Sequence, residues 1–244
     1  MLSEKPWKLD VVVRLLLRMA ICFCSIWFVM GLVQHFRGGG KLDENLPLYL
    51  MARTLSMQGS ILLVIAITLH QERIGWAEAF GFKRAGLGYA LVLGLLVATV
   101  LLLVGNSLKE ISVKLLWRFF RHEAPIQEAV QTLQNAVGWN TVYMVVFTVL
   151  VAPPAEEMLF RGILYPAVKQ FGYPRLALWG TSLMFAAIHF SAPIFLPLTV
   201  LALALTFLYE KTDNLLACIC AHSTFNAANV LIWYLTENMH RPPG

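Results

Sequence analysis

The chain has 244 residues, of which 58% are hydrophobic and only 14% charged, with a formal net charge of +5. Soluble globular domains carry about 25% charged residues. This composition, with a mean hydropathy of +0.66, excludes a soluble domain and predicts an all-α, polytopic transmembrane helix bundle, an integral multi-pass membrane protein whose surroundings are the lipid bilayer. The positive charge is carried by lysines and arginines that flank apolar segments, with no basic run long enough for a phosphate stripe, so no nucleic-acid partner is expected.

In chain order, apolar windows predict spans at about 11–33, 48–70, 87–105, 139–152, 155–170, 175–190, 194–210 and 215–236. That makes about eight helical segments, some too short to cross a membrane alone. Lys5, Lys8, Arg14 and Arg18 flank the first span and favour a cytoplasmic N-terminus. The span is too long for a signal-peptide core and reads as a retained signal anchor. Arg73, Lys83 and Arg84 after the second span agree with that orientation, whereas Lys109, Lys114, Arg118 and Arg121 do not. Those last four lie in LKEISVKLLWRFFRHE, residues 108–123, where Leu108, Ile111, Leu115, Leu116 and Phe119 fall near one face. The pattern predicts an amphipathic helix on the membrane surface. FRGGGKLDENLP, residues 36–47, reads as a flexible turn. The organisation expected is N-terminal transmembrane helices plus that surface helix over 1–138, core helices carrying the candidate site over 139–236, and a short polar tail over 237–244. Cys22, Cys24, Cys218 and Cys220 form two C-x-C pairs whose members point about 200° apart on a helix, so they read as small buried hydrophobes rather than a disulfide or metal set.

Chemistry enters at Glu156-Glu157, two adjacent carboxylates inside the apolar stretch VVFTVLVAPPAEEMLFRGILYPAV. An ionisable side chain at membrane depth costs roughly 2.5 kcal/mol or more and marks a functional site by default. Pro153-Pro154 is expected to break the helix that begins near Trp139, which places both glutamates in the first turn of a new helix, where the macrodipole favours negative charge. Adjacent helical residues point about 100° apart, so the two have different tasks. Glu157 and Arg161 stand four apart and can pair on one face. Glu156 is then the reactive carboxylate, with Glu157 and Arg161 as its structural and electrostatic support. Further on, His189 follows Phe185 by one turn, and His222 precedes Asn226 by one turn. A histidine can shuttle protons, donate a hydrogen bond or ligate a metal, and an asparagine makes a fixed donor for a developing oxyanion. A lone histidine on an apolar helix is usually a packing residue. Two histidines, an asparagine and two glutamates within the last 90 or so residues, all in apolar context, read together as one site contributed by three helices.

EEMLFR, FAAIH and HSTFN match, in that order, the patterns E-E-x-x-x-R, F-x-x-x-H and H-x-x-x-N. With these motifs in polytopic apolar sequence, the chain resembles the CPBP family of intramembrane proteases, which includes the type II CAAX prenyl endopeptidases and bacteriocin-processing or immunity proteins. The resemblance covers about residues 139–236; EAFGFKR, residues 78–84, ahead of a span also resembles the family. It implies that Glu156, His189, His222 and Asn226 form a catalytic set for peptide-bond hydrolysis within the membrane. Glu156 would activate water as general base, His222 and Asn226 would stabilise the oxyanion, and His189 would position the water or protonate the leaving amine. The substrate implied is a lipidated CAAX-type or other membrane-associated peptide or protein.

The cofactor stays open between two chemistries: none, or a zinc ion held by Glu156, His189 and His222 with a fourth position free. Against zinc, the sequence has no H-E-x-x-H. Two other function classes compete. One is a non-enzymatic scaffold or bacteriocin self-immunity protein of the same fold, since fold does not fix function. The other is a proton-coupled transporter, which predicts internal repeats and paired broken helices that the sequence lacks.

Overall fold

A computed structural model of the chain describes residues 2–36, 47–83, 86–120, 131–133, 136 and 138–240. The turn expected at 36–47 falls almost wholly outside these residues, as do Arg84, Arg121 and the end of the polar tail. The described chain is helical without strands: α1 (Leu9–Phe36), α2 (Pro47–Glu72), the short α3 (Trp76–Phe80), α4 (Leu87–Phe120), α5 (Trp139–Gln170), α6 (Pro174–Ala187), α7 (Ala192–Thr212) and α8 (Leu215–His240). Six of them, α1, α2, α4, α5, α7 and α8, are long and apolar enough to cross a membrane. At 1.5 Å per residue the 14 residues of α6 reach only about 21 Å, short of the ~30 Å hydrocarbon layer.

Packing follows from side-chain size. α4 lies against both α7 and α8, and α6 lies against α7. The α4–α8 approach is close because Gly94 has no side chain: a Cβ there would stand 2.7 Å from the Ala217 carbonyl oxygen. Ala98, Ala217 and Ala221 are fully buried. α1 packs mainly on α2 and turns Ile21, Phe23, Phe28 and Val29 outward, as expected of a helix facing lipid. Cys218 is buried, but Cys24 is exposed on α1, which corrects the expectation that all four cysteines are buried.

Two expected elements take a different form. Residues 108–120 are not a separate surface helix but the last turns of the 34-residue α4. Nothing between Val104 and Phe120 breaks the helix beyond a lone Gly105, and backbone hydrogen bonds continue it more cheaply than a free end would. Ser112, inside this segment, is buried and donates to the Ala192 carbonyl at 3.2 Å, which ties the segment to the start of α7. A helix of this length is about 51 Å long, so its charged end runs past the hydrocarbon layer.

Pro153-Pro154 likewise does not split α5. The chain is α-helical over Trp139–Val146, widens to π-helix over Phe147–Val151, returns to α over Ala152–Glu157, widens again over Met158–Leu164 and ends as α over Tyr165–Gln170. The wider turn absorbs the prolines, with the Ala152 N–H reaching back to the Phe147 carbonyl, five residues earlier. Glu156 and Glu157 therefore sit in mid-run. The helix-terminus stabilisation expected from a fresh first turn is absent, and their charge is balanced by side chains.

One end of the bundle carries a polar seam. The non-helical segment 2–8 lies across it, with Lys5 bonded to Asp213 at 2.8 Å and Lys83 reaching the other Asp213 oxygen at 2.9 Å. Burial raises the Asp213 carboxyl, but hydrogen bonds from Lys5, Lys83 and Ser3 outweigh it and hold that carboxyl well below the usual carboxylate range. A depressed folded value means stability that is complete above the unfolded carboxyl's range, about pH 4, and is lost as pH falls toward the folded value. Thermal midpoints of Asp213→Asn should therefore lie below the unaltered protein at pH 7, and the gap should close as pH is lowered through 4 to 2. A gap that stays constant over that range contradicts the assignment.

Candidate active site

Three elements converge on one polar cluster in an apolar interior. α5 supplies Glu156, Glu157 and Arg161. The turn just beyond α6 supplies His189, two residues past the helix end rather than within it, and α6 itself supplies Phe185. α8 supplies His222 and Asn226. Glu157 is 0% exposed, Arg161 2%, His222 3% and Glu156 8%. Buried charges persist only when paired and hydrogen-bonded, and the pairs are specific. Arg161 Nη1 donates to Glu157 Oε1 at 2.9 Å, the contact that the four-residue spacing allows. The same Oε1 accepts from His222 Nδ1 at 2.8 Å. A carboxylate only accepts, so Nδ1 carries the proton of that bond. His222 Nε2 then points to the other carboxylate, 3.9 Å from Glu156 Oε2. The imidazole thus spans the adjacent glutamates with its two nitrogens, Nδ1 bonded to Glu157 and Nε2 facing Glu156.

Phe185 is the floor of this cluster. It is fully buried, and the Arg161 guanidinium carbon stands 4.5 Å from its ring centroid, within cation–π range. Its ring also meets Phe160 edge-on at 5.2 Å, His189 at 5.0 Å and His222 at 5.8 Å. The sequence marks Phe185 only as the residue one turn before His189; its contact with three of the polar residues is a fact of the third dimension. His189 is half-buried, and its Nδ1 lies 2.7 Å from the Phe185 carbonyl. Donating there leaves Nε2 as its free nitrogen.

Asn226 does something that spacing does not predict. Its Nδ2 donates to the Thr148 carbonyl at 3.0 Å. In an α register that carbonyl would accept from Ala152, whose N–H goes instead to Phe147. In the π register it would accept from Pro153, which has no N–H. Asn226 closes the gap the proline leaves, and the second N–H of the same amide remains for another acceptor. The site is thus Glu156, Glu157, Arg161 and His222 in direct contact, with His189 joined through Phe185 and Asn226 joined through the backbone of α5.

The donor set does not fit zinc in this arrangement. Among the described residues no three His, Cys, Asp or Glu side chains stand where one ion could hold them together. Glu156, His189 and His222 do not converge as a three-donor group.

Residues 138–228 match the family model described as type II CAAX prenyl endopeptidase Rce1-like. Among curated proteins the chain is similar to the uncharacterized protein YpbD of Bacillus subtilis, 36% identical over 87 residues, a match covering 34% of this chain and 42% of that protein. The chain thus spans less than half the length of this relative. No solved structure matches the chain.

Proposed function

We propose that the protein is an intramembrane endopeptidase that hydrolyses a peptide bond of a lipidated, CAAX-type or otherwise membrane-associated peptide, a reading supported by the match of residues 138–228 to the type II CAAX prenyl endopeptidase Rce1-like model. The observation that carries the proposal is His222 held between two adjacent carboxylates, Nδ1 on Glu157 at 2.8 Å and Nε2 facing Glu156 at 3.9 Å, in an interior where unneeded charge is costly.

The reaction proposed uses this cluster of side chains. Glu156 accepts a proton from a water molecule, and the water oxygen attacks the scissile carbonyl carbon. Negative charge moves to the carbonyl oxygen. His222 in its protonated form donates to that oxygen from Nε2, and the remaining Asn226 N–H adds a second donor. Glu157 stays ionised on Nδ1 and keeps the ring from turning. Collapse of the tetrahedral adduct breaks the C–N bond, and the leaving nitrogen takes the proton that Glu156 removed from water, either directly or passed through the free Nε2 of His189. Arg161 stays outside the proton inventory: it neutralises Glu157 and seats on Phe185.

The test is cleavage in liposomes. The purified full chain should release the C-terminal fragment of a peptide bearing a prenylated cysteine, should act less well on the same peptide without the lipid, and should keep its rate in the presence of a metal chelator. Cleavage of both peptides alike would remove the lipid from the proposal. No cleavage of either, or a chelator-sensitive rate restored by zinc, would overturn the reaction as written.

A further inference from the structure

Two prolines flank the carboxylate segment of α5, and each leaves a backbone carbonyl short of a helical donor. Before the segment, Thr148 loses its partner to Pro153, and Asn226 of α8 replaces it. Behind the segment, where the chain returns to α-helix at Tyr165, Pro166 stands in the α-register donor position for the Gly162 carbonyl and has no N–H to give it. The Gly162 carbonyl accepts instead from the indole Nε1–H of Trp7, at 2.5 Å. Gly162 immediately follows Arg161, inside the π-helical turns of Met158–Leu164.

We infer that Trp7, which lies on the N-terminal segment outside the family-matched residues, is a positioning residue for the active site. It closes the second proline gap and thereby holds the turn that aims Arg161 at Glu157. A buried carbonyl without a donor is costly and tends to draw its turn into another register. A π-helical turn has neighbouring registers close at hand. Slippage by one residue would rotate Arg161 by about 100° and take its guanidinium off Glu157 Oε1, the same oxygen that orients His222.

Trp7 is built into this position. It is 2% exposed, and its ring meets Phe80 of α3 at 6.0 Å. Phe80 in turn presses on Gly162, where a Cβ would lie 2.6 Å from the Phe80 ring. Indole and phenyl therefore seat on a stretch of helix that only glycine leaves open. The segment carrying Trp7 has no helix of its own and is fixed by pairing. The Lys5 N–H donates to Gln170 Oε1 at 3.2 Å, Gln170 Nε2 returns a bond to the Lys5 carbonyl at 2.9 Å, and Lys5 Nζ reaches Asp213. The N-terminal segment is thus a strap across the end of α5 that ends on the turn next to the Glu157–Arg161 ion pair.

The effect on turnover rests on the endopeptidase reading; the effect on the helix does not. The test uses the full chain in detergent and two variants. Trp7→Phe keeps a ring against Phe80 and removes the donor. Trp7→His restores it, because imidazole Nε2 occupies the place in its five-membered ring that Nε1 occupies in indole. Hydrogen–deuterium exchange of peptides covering 158–170 should be about fivefold faster in Trp7→Phe. It should return toward the unaltered rate in Trp7→His at pH 8, and should not change in Trp27→Phe, a control on the exposed face of α1. On a cleavable peptide, Trp7→Phe should lower kcat about tenfold with little change in KM, and Trp7→His should recover most of it. Unchanged exchange over 158–170 in Trp7→Phe, or equal exchange in the two variants, overturns the inference. Absence of turnover by the unaltered protein would sink the endopeptidase reading while the exchange measurements still decide the role of Trp7.

Discussion

Glu156→Gln is expected to abolish peptide cleavage while leaving the protein folded and as abundant as the unaltered chain. Glutamine keeps the shape of the side chain and its capacity to accept a hydrogen bond, but cannot take a proton from water. Loss of a positioned general base removes about 10²- to 10⁴-fold in rate. The fold has little at stake in this charge. Glu156 keeps 8% of its surface exposed, and the His222 Nε2 that faces it lies at 3.9 Å, long for a hydrogen bond. Membrane peptidomes of cells carrying the two proteins make the comparison direct. Peptide termini that appear only with the unaltered protein would establish proteolysis and identify the substrate class. Identical peptidomes at equal protein abundance would sink the catalytic role and favour a scaffold or immunity protein, which would tolerate an isosteric change. Glu157→Gln provides the contrast: that carboxylate holds both Arg161 and His222, so its loss should reduce stability as well as rate.

What the sequence made legible and what it left hidden divide along separation in the chain. Apolar runs are local, and they place helices wherever six candidate spans are found. The Glu157–Arg161 contact is local too, because residues four apart share a helical face. Even at short range one rule misled: Pro153-Pro154 reads as a break, but π-helical turns absorb both rings and α5 runs on. A hydrophobicity pattern has no term for that widening. It also has no term for the segment 108–120, where charged residues mark a membrane boundary and the helix simply continues through it. The contacts that turn separate motifs into a site are all remote. Glu157 and His222 are 65 residues apart, Thr148 and Asn226 are 78 apart, and Trp7 and Gly162 are 155 apart. The signal for the last two was present in the proline positions, since each missing N–H requires a substitute donor, but the sequence does not say which side chain supplies it.

Arg161→Ala carries the largest expected effect on stability, about 3–5 kcal/mol, and activity should fall with it. Glu157 is 0% exposed and Arg161 2%, so the ion pair has no water to fall back on. Truncation removes the guanidinium that neutralises Glu157, leaves a cavity against Phe185 where that guanidinium sat at 4.5 Å, and returns the whole burden of the Glu157 charge to His222. Two further variants separate these contributions. Arg161→Met fills the cavity without the charge and should recover only the packing share. Glu157→Gln combined with Arg161→Met removes both charges while an amide oxygen still accepts from His222 Nδ1. Replacement of a buried pair by neutral groups of like volume is often close to neutral, so the double variant should be more stable than Arg161→Met alone. That non-additivity, read from thermal midpoints in one detergent, measures the coupling between the two side chains. Additive effects, or an Arg161→Ala protein that unfolds at the same temperature as the unaltered chain, would mean that the pair does not hold the site. A double variant that folds well but cleaves nothing would assign the charge of Glu157 to orienting His222 rather than to stability.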